Sequence, residues 1–230
     1  MNTTIKAGGR LSGKICPPPS KSAGHRSIIA AALAKGTSTI KNIGFSQDID
    51  ASINAMRLLG AKIDKQGDTL IINGENTLKN IDNVTLDCNE SGSTLRFLIP
   101  LALHCASVTF TGCGRLPERP LDAYYRLFDK WGIRYSNAGG KLPLTMHGGK
   151  PQSIIEIEGN VSSQYISGLL FSLPMMQTDS QIHITSPLES KGYIDMTIQT
   201  LERFGIRIIN QGYELFTVPG GQQYRPCTYV

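Results

Sequence analysis

The sequence lacks the features of membrane proteins and of disulfide-rich proteins. Its longest apolar runs, Phe97 to Cys105 and Gly168 to Met176, are too short to span a bilayer, and residues 1 to 15 contain no apolar segment of a signal peptide. The cysteines form no Cys-x-x-Cys pair and are odd in number, which argues against a disulfide framework and a zinc site. They are Cys16, Cys88, Cys105, Cys113 and Cys227. We therefore expect a soluble cytoplasmic protein with buried free thiols.

The sequence also lacks a run of Lys or Arg, and aromatic residues make up only 7% of it. Its net charge of +5 comes from 23 basic and 18 acidic residues, so the signature of a nucleic-acid-binding protein is weak. An acidic small molecule fits this modest excess of positive charge better. With 230 residues, 40% of them hydrophobic, the chain can bury a substantial core as one large or two small domains.

The stretch from Pro17 to Arg26 predicts a helix start that binds an anion. Three prolines restrict the backbone, and the apolar run from Ile28 to Leu33 is typical of a buried helix. Free backbone N–H groups and the helix dipole favour negative charge at such a start, where Lys21 and Ser22 add side-chain donors. The Gly-x-x-x-x-Gly frame of a P-loop is missing, which excludes a nucleotide triphosphatase of that class; an ordinary capped helix with solvated charges stays the alternative.

Three units follow, each with a serine-rich helix start, a strand, an amphipathic helix and a strand pair. The first helices are predicted at Ser22–Leu33, Ser91–His104 and Ser163–Met175. The strands after them are predicted at Ser38–Ile43, Ser107–Thr111 and Gln181–Thr185, and the amphipathic helices at Asp48–Leu59, Leu121–Trp131 and Ile194–Phe204.

Each amphipathic helix is expected to end at a glycine in the left-handed conformation, directly before a strand. These glycines are Gly60, Gly132 and Gly205, at intervals of 132 − 60 = 72 and 205 − 132 = 73 residues. Such a spacing indicates an internal repeat whose copies stack into one fold. On this spacing a fourth first helix is due near residue 236, so Thr228-Tyr229-Val230 is interpreted as an unfinished strand and the chain as part of a longer protein.

The second and third helix starts also offer anion-binding groups. Gly92 would let a ligand approach the backbone beside the hydroxyls of Ser93 and Thr94, and Ser162-Ser163-Gln164 supplies two hydroxyls and an amide. Two loops add cations, Arg119 between two prolines and Lys191 after Ser190. With Lys21, Arg26 and Arg96 they form a set that suits phosphate and carboxylate groups, although each alone is equally typical of a capped helix or a solvated surface.

On these motifs the sequence resembles the enolpyruvyl transferase family, specifically its members that act on shikimate 3-phosphate. The motifs, in the order that the family has them, are Pro-x-Ser-Lys-Ser-x-x-x-Arg, Ser-Gly-Ser-Thr-x-x-Arg-Phe, Glu-Arg-Pro, Ser-Ser-Gln and Ser-Lys-Gly-Tyr-Ile-Asp. The resemblance covers the whole chain but only the N-terminal half of a family member. It implies an α/β (α+β) fold of three βαβαββ repeats, one half of an inside-out α/β barrel.

The resemblance implies domain limits as well. Residues 1–16 would join a C-terminal domain that this chain lacks, and residues 17–230 would form the shikimate-binding N-terminal domain. Its repeats would cover about 17–88, 89–160 and 161–230. The residues that move protons would lie beyond Val230, so the isolated chain is expected to be inactive.

The implied reaction transfers the carboxyvinyl group of phosphoenolpyruvate to the 5-hydroxyl of shikimate 3-phosphate, without metal or cofactor. The residues implied to bind shikimate 3-phosphate are Lys21, Ser22, Arg26, Ser162, Ser163, Gln164, Ser190 and Tyr193. Those implied to bind phosphoenolpyruvate are Lys21, Gly92, Arg119 and Gln164, with Lys21 also stabilising charge during catalysis. Glu90 departs from the family, which often has Asn there, and a carboxylate beside an anionic substrate is unfavourable unless it pairs with a cation.

Two other functions stay open at this point. A UDP-N-acetylglucosamine enolpyruvyl transferase shares the repeat and typically has a reactive Cys on a loop near Cys113, but it has Lys-Asn where this chain has Lys21-Ser22. An anion-binding or nucleic-acid-binding module without catalysis would use the same basic helix starts, as RNA 3′-terminal phosphate cyclases share the βαβαββ unit. Tyr165 and Tyr193 are too few aromatics near these starts for base stacking. A monomer with no nucleic-acid or membrane partner is the expected state.

Overall fold

The computed structural model describes residues 3–4, 8 and 12–230, in which six α-helices and twelve strands are present. The alternating segments expected between Met1 and Ile15 fall mostly outside these residues, and residues 12–20 contain neither helix nor strand. None of the helices so described is long and apolar enough to cross a bilayer.

The first unit starts with a helix that is buried on all sides. Its elements are α1 (Lys21–Leu33), β1 (Thr37–Ile40), α2 (Gln47–Leu58), β2 (Lys62–Gln66) and β3 (Thr69–Asn73). α1 begins directly after the prolines because Ser20 caps it, its Oγ accepting a hydrogen bond from the N–H of Ala23 at 3.3 Å. Every residue from Gly24 to Leu33 is buried, so α1 is a central core helix, as its apolar run predicts.

The second unit contains a first helix that is shorter than predicted. Its elements are β4 (Val84–Asp87), α3 (Gly92–Leu98), β5 (Ser107–Thr111), α4 (Asp122–Trp131), β6 (Tyr135–Ala138) and β7 (Lys141–His147). The prediction of one helix over Ser91–His104 is wrong at its C-terminal end, where Leu101–His104 forms a 3-10 helix. Pro100 lies between the two, and a proline ring disturbs the preceding helical turn and supplies no N–H.

The third unit repeats this arrangement. Its elements are β8 (Ile154–Ile157), α5 (Ser163–Ser172), β9 (Ser180–Ile184), α6 (Lys191–Arg203), β10 (Ile209–Gln211) and β11 (Leu215–Val218). Pro174 again changes the end of the first helix, because Leu173–Met175 is a 3-10 helix. The amphipathic helix α6 begins at Lys191, three residues before its predicted start.

The glycines predicted to end the amphipathic helices have positive φ angles. They are 103° at Gly60, 66° at Gly132 and 80° at Gly205, in the region that residues with a Cβ rarely adopt. In each unit an antiparallel strand pair follows, β2 with β3, β6 with β7 and β10 with β11. The prediction of a repeated helix terminator is therefore confirmed.

Three sheets of four strands share one strand order. They are β4-β5-β7-β6, β8-β9-β11-β10 and β12-β1-β3-β2, where β12 (Thr228–Tyr229) comes from the end of the chain. In each sheet the first two strands are parallel and the other pairs antiparallel. This is the mixed α/β fold, with four strands per unit, that the βαβαββ resemblance implies.

β12 is the strand that completes the first sheet. Thr39 and Ile40 of β1 lie opposite Thr228 and Tyr229, and the N–H of Thr39 donates to the carbonyl of Cys227 at 3.1 Å. The interpretation of these last residues as a strand is confirmed, and its partner is β1, the first strand among the described residues. The first and last described strands are therefore joined by backbone hydrogen bonds.

Of the buried first helices, α3 contacts both α1 and α5; α1 also contacts the amphipathic helices α2 and α6, α3 contacts α2, and α5 contacts α6. This packing brings the N-terminal ends of α1, α3, α5 and α6 close together, which is shown by side-chain hydrogen bonds between them. The prediction of buried thiols is wrong for Cys16 and Cys113, which are exposed in loops, and correct for Cys88 and Cys105.

Candidate functional site

A cavity of about 350 Å³ lies where the starts of α1, α3, α5 and α6 meet. Seven of the residues predicted to bind shikimate 3-phosphate line it: Ser22, Arg26, Ser162, Ser163, Gln164, Ser190 and Tyr193. They come from positions up to 171 residues apart in the chain, and the fold brings them to one place. Ser93, Phe97, Val161 and Glu189 complete the lining.

Arg26 is a buried cation at the base of this cavity. Its side chain is 2% exposed, and its guanidinium lies 4.9 Å from the centre of the Phe97 ring. Nε donates to Oγ1 of Thr197 at 2.7 Å, Nη1 to the carbonyl of Ser22 at 2.8 Å and Nη2 to that of Tyr193 at 3.1 Å. Burial lowers the pKa of Arg26 to about 10, so it stays charged at neutral pH.

Arg26 forms no ion pair with an acidic side chain among the described residues. The six ion pairs formed among residues 12–230 do not include it, and its three hydrogen bonds leave two N–H groups unused. A buried charge without a counter-charge costs folding free energy, so its place beside a cavity points to an anionic ligand.

Hydroxyl groups around the cavity are also free to bind a ligand. The side chains of Ser22, Ser163, Ser190 and Tyr193 form no hydrogen bond with any residue that the structure describes, although all four line the cavity. Ser162 instead caps α5, its Oγ accepting from the N–H of Gln164 at 3.3 Å. The start of α5 thus combines a free hydroxyl with the positive end of a buried helix.

Ser190 has an unusual backbone conformation. Its φ of 57° and ψ of 41° are left-handed, which is uncommon for a residue with a Cβ. This conformation lets α6 begin at Lys191 while Ser190 still faces the cavity. Strained residues of this kind cluster at binding sites, so the geometry supports a functional role for Ser190.

Gln164 is held between two helices. Its Oε1 accepts from Nη1 of Arg96 at 2.8 Å, and its Nε2 donates to Oγ of Ser93 at 3.0 Å. Arg96 also donates from Nη2 to the carbonyl of Pro120 at 3.2 Å and lies over the ring of Tyr165. The hydrogen bonds of Arg96 are thus made to protein groups, and they fix the side chain of Gln164 and the loop that contains Arg119.

Arg119 lies over the start of α3. A Cβ added to Gly92 would come within 2.6 Å of Nη1 of Arg119 and 3.3 Å of Nη1 of Arg96, so a larger residue there would require the exposed Arg119 side chain to move. Arg119 is exposed and follows a 3-10 helix over Leu116–Glu118. Gly92 and Arg119, predicted to bind the same ligand, are thus brought together at the edge of the cavity lined by Ser93.

Lys21 does not line the cavity. Its Nζ donates to Oδ2 of Asp48, at the start of α2, at 2.6 Å, and its side chain is 55% exposed. Lys191, the other cation of the sequence pattern, lies over the ring of Tyr213 beside a separate cavity. Of the cations in that pattern, the cavity therefore takes in Arg26 directly, with Arg96 and Arg119 at its edge.

Glu90 and Cys113 lie in the loops next to α3. Oε1 of Glu90 accepts from the N–H of Arg115 at 3.3 Å, so this carboxylate holds a loop, and no ion pair with it occurs among the described residues. Sγ of Cys113 donates to Oδ1 of Asn89 at 2.9 Å, and the thiol does not line the cavity.

Phe97, Val161 and Glu189 line the cavity but were not predicted as candidate site residues from the sequence. Phe97 stands in the motif Arg-Phe of the second helix start, but its apolar side chain gave no reason to expect it beside a cation. Glu189 precedes Ser190, and only the fold shows that it faces the cavity.

Comparison with known proteins identifies related chains. A family model described as EPSP synthase (3-phosphoshikimate 1-carboxyvinyltransferase) matches residues 5–230. A protein of that second name from Clostridium perfringens strain SM101 is 48% identical over 230 residues, covering 100% of this chain and 54% of the relative. One from Clostridium beijerinckii is 49% identical over 228 residues, covering 96% of this chain and 52% of the relative.

A solved structure has the same fold. The EPSP synthase from Acinetobacter baumannii superposes with a TM-score of 0.81 at 23% identity, covering 94% of this chain and 49% of that one. The chain thus spans about half the length of the relatives it matches. The family model and both relatives are described as 3-phosphoshikimate 1-carboxyvinyltransferase. This description favours a shikimate 3-phosphate enzyme over the UDP-N-acetylglucosamine alternative.

Proposed function

The chain belongs to the EPSP synthase family, and we propose that it forms the shikimate 3-phosphate side of an enzyme of that activity. The reaction joins O5 of shikimate 3-phosphate to C2 of phosphoenolpyruvate and breaks the bond between that carbon and the phosphate oxygen. The route is addition followed by elimination, and inorganic phosphate is released. Aromatic amino-acid biosynthesis is the pathway that this product serves.

The proposal rests on one cavity that contains a buried cation and hydroxyl groups without a hydrogen-bond partner among the described residues. Arg26 has two free N–H groups and no carboxylate partner, which suits the carboxylate of shikimate 3-phosphate. Ser162 and Ser163 at the start of α5 suit its 3-phosphate. Ser22, Ser190 and Tyr193 would contact the ring.

Phosphoenolpyruvate would lie at the edge formed by α3. Arg119 and the backbone at Gly92 would bind its phosphate and carboxylate, and Gln164 would lie between the two substrates. Lys21 would stabilise charge on the reacting group after exchanging Asp48 for the substrate. Neither the addition nor the elimination calls for a metal or a cofactor.

We propose that proton transfer depends on residues outside this chain, because the chain spans about half of its relatives. The 230-residue chain alone would then bind shikimate 3-phosphate weakly and not turn over. We further propose that the enzyme acts in the cytoplasm as a monomer, with no nucleic-acid or membrane partner.

Titration calorimetry of the chain with shikimate 3-phosphate tests the proposal. Shikimate and UDP-N-acetylglucosamine are the control ligands, and binding should require the phosphate. Ser163→Ala should weaken binding about tenfold or more, since a hydrogen bond to a charged group contributes about 1.5–3 kcal/mol. Ser136→Ala, on an exposed strand, is the matched control and should change nothing. Binding of UDP-N-acetylglucosamine instead, or unchanged affinity in Ser163→Ala, would contradict the assignment.

A further inference from the structure

Two adjacent residues of α1 start two separate chains of buried hydrogen bonds. His25 is 1% exposed and Arg26 is 2% exposed. They leave the helix in different directions, because consecutive residues of a helix do not share a face. Each chain ends at a different part of the candidate site.

The chain that begins at His25 runs to the start of α3. Nδ1 of His25 lies 2.7 Å from Oγ of Ser52, which lies 2.8 Å from Oγ1 of Thr94. Thr94 donates in turn to Oγ of Ser91, the cap of α3, at 2.8 Å. Ser52, Thr94 and Ser91 are all buried, so water does not compete for these bonds.

The direction of this chain fixes the protonation of His25. Each hydroxyl has one proton to donate, and that of Thr94 goes to Oγ of Ser91 at 2.8 Å or to the carbonyl of Asp48 at 3.4 Å, in either case away from Ser52. Ser52 must then donate to Thr94, and Nδ1–H of His25 must donate to Ser52. Nε2 of His25 is left as a buried acceptor without a partner. The ring therefore carries a proton on Nδ1, and burial, which lowers the pKa of His25 to about 4, keeps Nε2 unprotonated at neutral pH.

The chain that begins at Arg26 runs to α5 and α6. Nε donates to Oγ1 of Thr197, which lies 2.8 Å from Oγ of Ser167 on α5 and donates to the carbonyl of Tyr193 at 2.9 Å. This chain therefore fixes the helices that carry Ser163, Ser190 and Tyr193. This series of hydrogen bonds shares no residue with the series that begins at His25.

We propose that His25 is a positioning residue for the phosphoenolpyruvate side of the site. Through Ser52 and Thr94 it fixes the start of α3, and with it Gly92, relative to the start of α1. Arg26 with Thr197 does the same for the shikimate 3-phosphate side. The assignment of ligands to the two sides rests on the proposed function, whereas the two hydrogen-bond chains do not.

The first test measures backbone positioning without ligand. Amide hydrogen exchange of the 15N-labelled chain is followed by NMR in Ser52→Ala and in its matched control Thr197→Val. Ser52→Ala should speed exchange at the amide of Thr94 about tenfold and leave that of Tyr193 within twofold. Thr197→Val should do the reverse. Equal changes at both amides, or none at Thr94 in Ser52→Ala, would overturn the inference.

The second test measures ligand binding in the same variants. Phosphoenolpyruvate is titrated both alone and in the presence of saturating shikimate 3-phosphate. Ser52→Ala should weaken phosphoenolpyruvate binding about tenfold in both titrations. The same variant should keep its affinity for shikimate 3-phosphate within twofold of the unaltered chain. Thr197→Val should show the opposite preference. Equal weakening of both ligands in Ser52→Ala would mean a general structural role and would overturn the inference. If the unaltered chain binds neither ligand, the proposed function fails, while hydrogen exchange at Thr94, measured in His25→Leu as well as Ser52→Ala, still decides whether His25 positions α3.

A substitution series at His25 completes the test. His25→Asn keeps a donor toward Ser52, whereas His25→Leu removes it, so the Asn variant should retain more phosphoenolpyruvate affinity than the Leu variant. Equal affinity in the two would contradict a role through the hydrogen bond. If His25→Leu does not fold, Ser52→Ala carries the same comparison.

Discussion

Oε1 of Gln164 accepts a hydrogen bond from Nη1 of Arg96 at 2.8 Å, across 68 residues of sequence. Nε2 of the same amide donates to Oγ of Ser93 at 3.0 Å, so both ends of the amide are fixed by α3. The orientation of Gln164 therefore exists before any ligand binds. A preorganised polar group of this kind loses little entropy when a ligand arrives.

Gln164→Glu should separate folding from binding. The new carboxylate would accept hydrogen bonds from Arg96 and from the hydroxyl of Ser93, so both partners of the amide stay bound and the free energy of unfolding should change by about 1 kcal/mol or less. Its charge would face the anion cavity, and like charges about 4 Å apart repel enough to weaken shikimate 3-phosphate binding at least about tenfold. Gln199→Glu, at an exposed position of α6, changes the net charge equally and is the control. Calorimetry and urea unfolding measure the two quantities, and unchanged affinity in Gln164→Glu would place the ligand elsewhere.

Short sequence motifs predicted those helix boundaries that are set by interactions between residues close together in the sequence. Serine caps, prolines and terminating glycines act within a few residues, and they placed the starts of α1 and α5 within one residue of the structure. The resemblance to a family supplied the identity of the site residues. Seven of them share one cavity because the helices that carry them pack together.

Contacts between distant residues could not be predicted in this way. The pairing of β12 with β1 joins residues about 189 positions apart, and the residues of β12 alone showed only that a strand was present. The buried hydroxyl of Ser52 is an unremarkable residue of an amphipathic helix until Thr94 is placed beside it. The ion pair of Lys21 with Asp48 and the position of Phe97 under Arg26 depend on the same packing.

The three glycines that end the amphipathic helices should differ in their tolerance of alanine. All three have positive φ, so alanine costs about 1–2 kcal/mol of strain at each. A Cβ at Gly132 would meet nothing within 4 Å, at Gly205 it would lie 3.1 Å from Cδ of the flexible Arg225, and at Gly60 it would lie 2.6 Å from the carbonyl oxygen of Asn76. The midpoint of urea unfolding should therefore fall least in Gly132→Ala and most in Gly60→Ala. The reverse order would mean that Asn76 yields at little cost.

Tyr229 should be needed for stability although it is the second-last residue. Its ring stacks on Phe204 at 6.1 Å, and its carbonyl accepts from the N–H of Lys41 at 2.9 Å. Removing a half-buried aromatic ring costs about 2 kcal/mol, and Tyr229→Ala should lower the free energy of unfolding by that amount. Val230→Ala is the control, since Val230 is 81% exposed and should tolerate the change. Equal stability of both variants would show that the packing of the Tyr229 ring on Phe204 contributes little to the fold.

His25 should make the stability of the chain depend on pH below neutrality. Burial lowers its pKa to about 4, and the nearby Lys21 and Arg26 add to this effect while Asp48 opposes it. In the unfolded chain the pKa returns to about 6.5, so between pH 6.5 and 4 the unfolded state binds more protons and stability falls as the pH falls. The loss amounts to about 3 kcal/mol once the pH is below 4.

Urea unfolding at pH 7, 6, 5 and 4.5 should show a smaller decline in His25→Asn than in the unaltered chain. The decline should not vanish, because burial also lowers the pKa of His104. Parallel curves for the two proteins would mean that folding does not lower the pKa of His25, which would contradict this prediction.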